Sequence, residues 1–167
     1  ETAEMPGTYS RGKFDIAIKD SEAAIESHPN QPFPYLAMGI SLSNNELLDE
    51  SLKFLHSGRE LVMSDPILES DFLHEIGNVY YKQNKYEKCF DYYEMSIALN
   101  PKNLILLNNY SYYLALRKTN LQRAEELILI VLSKFPNIAT YCDTYGWVLF
   151  QMGKYSLSEK ELFKAVM

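Results

Sequence analysis

Histidine, cysteine and glycine are scarce in this chain of 167 residues, at three, two and seven. His28, His56 and His74 are far apart, with no carboxylate or cysteine at ligand spacing, and Cys89 and Cys142 form no C-x-x-C pair. Neither a zinc site nor a disulfide framework is signalled, and both thiols read as free and buried. Catalytic signatures are missing as well: there is no H-E-x-x-H, no G-x-G-x-x-G and no Walker loop. The stretch "GISLS" at 39–43 is not G-x-S-x-G and lies in a helical pattern instead of a strand-to-helix elbow. No enzymatic activity, cofactor or metal is therefore expected. Basic clusters are lacking; with a net charge of −6 and a pI near 5.1, the chain offers a phosphate backbone no stripe on which to release counterions. Nucleic acid is excluded as an expected partner. No apolar run approaches membrane-spanning length, so membrane insertion is not expected either. The first residues, "ETAEMPGTYS", lack a basic n-region and an apolar h-region, while the absence of an initial methionine leaves a removed signal peptide open.

What the chain does have is core-forming material, 47% of it apolar, arranged with a helical period. In the stretch 76–101, Ile76 and Tyr80 fall on one helical face; after "KQNK", Tyr86, Cys89, Tyr93 and Ile97 fall on another. This predicts a helical hairpin. Its pattern recurs through the chain. A small residue appears at Ala17, Ser51, Cys89, Ala124 and Ser158, at intervals of 34, 38, 35 and 34. Seven residues later come Ala24, Gly58, Ser96, Val131 and Ala165; three residues earlier come Phe14, Leu48, Tyr86, Leu121 and Tyr155, with the same intervals. A glycine in the first helix recurs as Gly39, Gly77 and Gly146, with Ser111 standing in once.

A period of roughly 34 with these small, aromatic and terminal proline positions resembles the tetratricopeptide repeat. Its pattern is matched best by Leu73, Ile76, Gly77, Tyr80, Cys89, Tyr93, Ser96 and Pro101, and again by Cys142, Tyr145, Gly146, Leu149, Ser158, Leu162 and Ala165. The resemblance covers almost the whole chain and implies an all-α fold, a right-handed superhelix of antiparallel helix hairpins in one solenoid domain. The units expected are an amino-terminal segment with a half repeat at 1–31, then 32–69, 70–103, 104–138 and a truncated 139–167.

Within that frame, small side chains at Gly77 and Cys89 let paired helices approach closely, and tyrosines fill the space around them. Asn84 and Asn120 are expected to cap second helices, Gly153 to make the corresponding turn, and Pro29, Pro66, Pro101 and Pro136 to close units. The extra length between Gly58 and Pro66 predicts a second helix about one turn longer in unit 32–69. "MPGTY" argues against helix before about Phe14. The stop at "KELFKAVM", with Leu162, Phe163 and Val166 uncovered, leads to the expectation of a fragment of a longer protein, or of another copy or another chain over the apolar end.

By the same resemblance, the first helix of each unit lines an inner groove that binds peptides. The expected groove residues are His74, Asn78, Tyr81, Asn108, Asn109, Tyr112, Asp143 and Trp147. Amides can pair with a ligand backbone and aromatic rings add contact area; against this, aromatic residues at helical spacing more often pack than recognise. The carboxylate clamp of chaperone-binding members is absent, because His74, Thr140 and Thr144 stand where its basic residues belong. Asn109-Tyr110-Ser111 forms a sequon inside a helix beside the core, where a glycan has no room. Two functions follow: a non-catalytic module binding an extended peptide or partner helix, or a structural spacer that stacks end to end on neighbouring domains or chains, its exposed terminal helices also offering self-association. The partner is a protein or peptide of open identity. Tyrosine, asparagine and lysine usage is similar to repeat proteins of gut bacteria, which leaves cytoplasm and cell envelope both open.

Overall fold

The structure, a computed structural model, describes residues 6–166. Among them are nine α-helices and no strand, divided between two units. Unit 1 holds α1 (Pro6–Ser27), α2 (Pro32–Asn44), α3 (Leu48–Glu60), α4 (Pro66–Lys82) and α5 (Tyr86–Leu99); unit 2 holds α6 (Leu104–Leu116), α7 (Leu121–Lys134), α8 (Ala139–Gln151) and α9 (Tyr155–Val166). Helices pair as hairpins α2/α3, α4/α5, α6/α7 and α8/α9. In unit 1, α1 packs on α2 and α3 on α4; in unit 2, α8 packs on both α6 and α7.

The turns inside the hairpins share one geometry. A residue with positive φ follows each first helix: Glu46 (63°), Asn84 (59°), Lys118 (52°) and Gly153 (76°). The next residue turns its amide back five positions, as in Leu47 N–H to the Leu42 carbonyl at 2.9 Å and Lys85 N–H to that of Tyr80 at 2.9 Å. These are Schellman closures, which satisfy carbonyls that the helix end would otherwise leave without partners. The α6–α7 turn contains one more residue than the others, and Asn120 is also left-handed there, at φ 41°. That extra residue is the reason one interval in the columns is 35.

Three local expectations need correction. First, α1 begins at Pro6 and runs through the segment read as non-helical. Proline at the first helical position lacks only an amide that the helix does not need, so it permits a helix to start there. Second, the extra length of the 32–69 unit does not prolong α3, which has 13 residues. It lies in α4, which has 17 residues where α2, α6 and α8 have 13. Pro66 opens this helix instead of closing the preceding unit, and Asp65 caps it by accepting from Leu68 N–H at 3.0 Å. Third, Asn120 caps α7 through Arg123 N–H at 3.4 Å, but Asn84 does not cap α5. Its carboxamide oxygen instead accepts from the Tyr86 hydroxyl at 2.8 Å, and its backbone makes the left-handed turn.

Packing concentrates on the faces that the columns mark. Leu36, Leu55, Leu68, Phe72, Ile76 and Val79 form a buried cluster in unit 1, flanked by Tyr35, Tyr80 and Tyr92. At about 1.5–3 kcal/mol per fully buried large side chain, such clusters rather than intrinsic propensity hold the helices in place. Close approach is enforced by Gly77: a Cβ there would stand 2.6 Å from the ring of Tyr93, itself fully buried.

Candidate functional site

The expected site residues lie on three helices. His74, Asn78 and Tyr81 follow one face of α4 in unit 1; Asn108, Asn109 and Tyr112 are on α6, and Asp143 and Trp147 on α8, within unit 2. Because α6 and α8 pack together, the structure brings the last five into one unit.

On α4 the side chains are engaged with their own hairpin. Asn78 donates to Glu75 Oε2 at 3.1 Å and accepts from the Tyr93 hydroxyl at 2.6 Å, so its carboxamide is used twice. His74 sets its ring edge-on to Tyr93, with centroids 5.8 Å apart, and Tyr81 does the same with Tyr86 at 5.3 Å. Burial pushes the Glu75 carboxyl above its ordinary range, opposed by the hydrogen bond from Asn78 and the charge of Lys82. His74 is held below its ordinary value, again by burial, with Asp71 pulling the other way. Asp71 is raised by burial. Lys82 donates to the carbonyl of Ser43 at 2.8 Å, tying α4 to the end of α2. Sequence reasoning passed over Glu75; the signal available was its spacing of three from Asn78, one helical turn.

Unit 2 presents a different surface. Helix α6 carries no charged side chain, and Ile105 (66% exposed), Tyr112 (37%) and Leu116 (43%) line one side of it. Asn109 is half-buried among them, whereas Asn108 is buried; its amide nitrogen is 3.4 Å from Asn109 Oδ1 and its own Oδ1 has no hydrogen-bond partner. On α8, Asp143 is exposed and Trp147 is half-buried, its ring stacked on Phe150 with centroids 5.5 Å apart and planes 13° from parallel. The indole N–H of Trp147 is buried without an acceptor.

Chemically, these surfaces offer amides, rings and few charges. The thiol of Cys89 is buried and pushed up to about 12 by desolvation, which removes it as a nucleophile, and burial raises Cys142 as well. Among the described residues no group of three or more histidine, cysteine, aspartate or glutamate side chains is placed to hold a metal ion. No helix among them is long and apolar enough to cross a membrane.

Comparison with known proteins agrees with this geometry. Residues 70–103 match the family model of the tetratricopeptide repeat. The TPR repeat-containing protein PA4667 of Pseudomonas aeruginosa is 26% identical over 156 residues, which is 93% of this chain. The chain spans only 26% of that relative's length. Among solved structures, MamA superposes with a TM-score of 0.76 at 18% identity, over 98% of this chain and 94% of MamA. YrrB, described as a TPR protein with an unusual peptide-binding site, gives 0.72 at 17% identity, over 93% of this chain and 77% of YrrB. At such identities the likeness shows the fold: all-α, with stacked helical hairpins.

Proposed function

We propose that this chain, whose residues 70–103 match the tetratricopeptide repeat, a family that typically binds proteins and is non-catalytic, is a non-catalytic module holding a peptide or partner helix on the first helices of its hairpins. The observation that carries this is the surface of α6. Ile105, Tyr112 and Leu116 are exposed along an uncharged helix, with Asn109 between them. Apolar side chains at helical spacing and without cover are the anchor type found in protein interfaces, and an adjacent amide can fix the register of a ligand backbone. The peptide-binding site ascribed to YrrB supports the same use of the fold. On α4, by contrast, Asn78 already has two partners, so ligand contact there would have to displace the Tyr93 hydroxyl or the Glu75 carboxylate.

The test is capture from lysate by the chain and by the double variant Asn109→Ala, Tyr112→Arg, with helicity and melting checked by circular dichroism. A partner lost only with the double variant supports the reading; equal capture by both would overturn it. A second reading, assembly through the ends, draws on α9, where Tyr155, Phe163 and Val166 are 63%, 63% and 81% exposed beside an open apolar groove shared with Phe150 and Leu162. It predicts altered self-association on Phe163→Glu, read by sedimentation, with partner capture unchanged.

A further inference from the structure

We propose that α8 carries a recognition site for a cation, taking an arginine side chain of the bound peptide between the Asp143 carboxylate and the rings of Trp147 and Phe150. This rests on the reading that unit 2 binds a peptide and names the chemistry of one ligand side chain.

The placement follows from helical spacing. Residues 143, 147 and 150 fall on successive turns of one face, where neighbouring Cβ atoms stand about 5–6 Å apart. The Trp147 and Phe150 rings stack on one another with centroids 5.5 Å apart, Tyr155 stands edge-on to Phe150 at 5.4 Å, and Phe150 is still 46% exposed, so a partly exposed ring stack follows the carboxylate on the same helical face. Asp143 is exposed and takes no part in the ion pairs of unit 2 among the described residues. On α7, Arg123 pairs with Glu126 at 3.3 Å; Lys154 reaches Glu125 at 2.9 Å; on α9, Lys164 pairs with Glu161 at 2.7 Å. Helix α6, which also packs on α8, contributes no charge. The result is a carboxylate outside these ion pairs beside a partly exposed ring stack.

A guanidinium satisfies both features together. Its plane can lie against the exposed part of the ring stack while its forked N–H groups bind the carboxylate, whereas an ammonium is a point charge that must favour one of them. A peptide carboxylate or acidic side chain would meet Asp143 as a like charge, so acidic segments are disfavoured here.

Trp147 is the only tryptophan in the chain, so its fluorescence reports on this site. The probe is the capped peptide acetyl-Ala-Leu-Arg-Leu-Ala-amide, compared with the same peptide carrying glutamine for arginine, each titrated against the chain and against Asp143→Asn. The expected result is binding of the arginine peptide about tenfold tighter than the glutamine peptide, with the preference falling to within about twofold in Asp143→Asn and weakening with salt. Equal affinities for the two peptides would overturn the cation site while leaving peptide binding standing. A preference that survives in Asp143→Asn overturns the role of that carboxylate. If neither peptide alters Trp147 emission at millimolar concentration, the cation site fails together with the peptide reading for α8.

Discussion

The hydroxyl of Ser111 donates to the carbonyl oxygen of Ala124 at 2.7 Å, across the α6/α7 hairpin. In two other hairpins the same tie runs in the opposite direction: Ser51 donates to the Gly39 carbonyl at 2.6 Å, and Ser158 to that of Gly146 at 2.7 Å. Where the first helix has glycine the second has serine, and where the first has serine the second has alanine. Each pair keeps two small residues in contact and one hydroxyl between them. The α4/α5 hairpin is the exception, with Gly77 opposite the buried Cys89.

Ser111→Gly should therefore destabilise the fold by about 1–2 kcal/mol, from one lost buried hydrogen bond and the lower helix propensity of glycine. Adding Ala124→Ser recreates the pairing seen at Gly146 and Ser158 and should recover roughly 1 kcal/mol. Urea unfolding of both single variants and the double gives the coupling directly. Strict additivity would show that the tie is not an energetic unit.

Gly77→Ala tests the close approach itself. In an exposed helix interior this change stabilises by about 1 kcal/mol, and Gly12, with nothing near its Cβ direction, should behave that way. At Gly77 the new methyl meets the Tyr93 ring at 2.6 Å and the Cys89 carbonyl at 3.3 Å. Tyr93 has no room to retreat, being fully buried with its hydroxyl held by Asn78. Overpacking should invert the sign, with a loss of about 1–3 kcal/mol. Thermal melts of the two variants side by side decide it.

The helical hairpins were legible in the sequence because their strongest constraint, small residues where helices touch, appears as columns that need no structure to detect. Ala124 and Ser158 lie fully or almost fully buried at such contacts. What escaped was the meaning of local punctuation. Proline both ends and begins helices, and nothing in "SDPILES" alone decides which; Asp65 settles it by capping forward. Asn84 resembled a cap because asparagine suits both caps and left-handed turns, and the Schellman closure takes the second option. Site residues were harder still. Asn78 and Asn109 look alike in sequence, yet the structure gives Asn78 the partners Glu75 and Tyr93, and leaves Asn109 beside exposed apolar neighbours. Which side chains are already engaged depends on the facing helix, and a repeat register does not contain that information.

Asp65→Ala examines the added turn of α4. Loss of the cap should cost about 1 kcal/mol and lower hydrogen-exchange protection at Leu68 N–H, which Asp65 Oδ1 accepts at 3.0 Å. The Arg59–Glu69 pair at 2.9 Å also reaches this turn, but with its side chains 30% and 37% exposed it contributes little. Protection within α5 should be unchanged. An unaltered Leu68 amide would mean that Pro66 and the burial of Leu68 hold the turn without the cap.

Glu75 makes stability depend on pH in a direction opposite to that of a salt-bridged carboxylate. Because burial raises its folded pKa above the unfolded value near 4.5, the native state binds its proton more tightly. Its contribution favours folding below about 4.5 and is lost as pH rises through the folded value; Asp71, also raised, acts in the same sense. His74 and His56 oppose them: held below 6.5, they favour folding above that value, and their contribution is lost as pH falls through their folded values. Glu75→Gln removes the carboxyl whose ionisation burial opposes while keeping an oxygen to accept from Asn78, whose amide is now 3.1 Å from Oε2. The variant should thus be more stable than the parent at pH 7 and equal to it at pH 4, as read from urea midpoints at each pH. A loss of stability at pH 7 would mean that the ionised carboxylate, held by Asn78 and the nearby Lys82 charge, outweighs the desolvation of its charge.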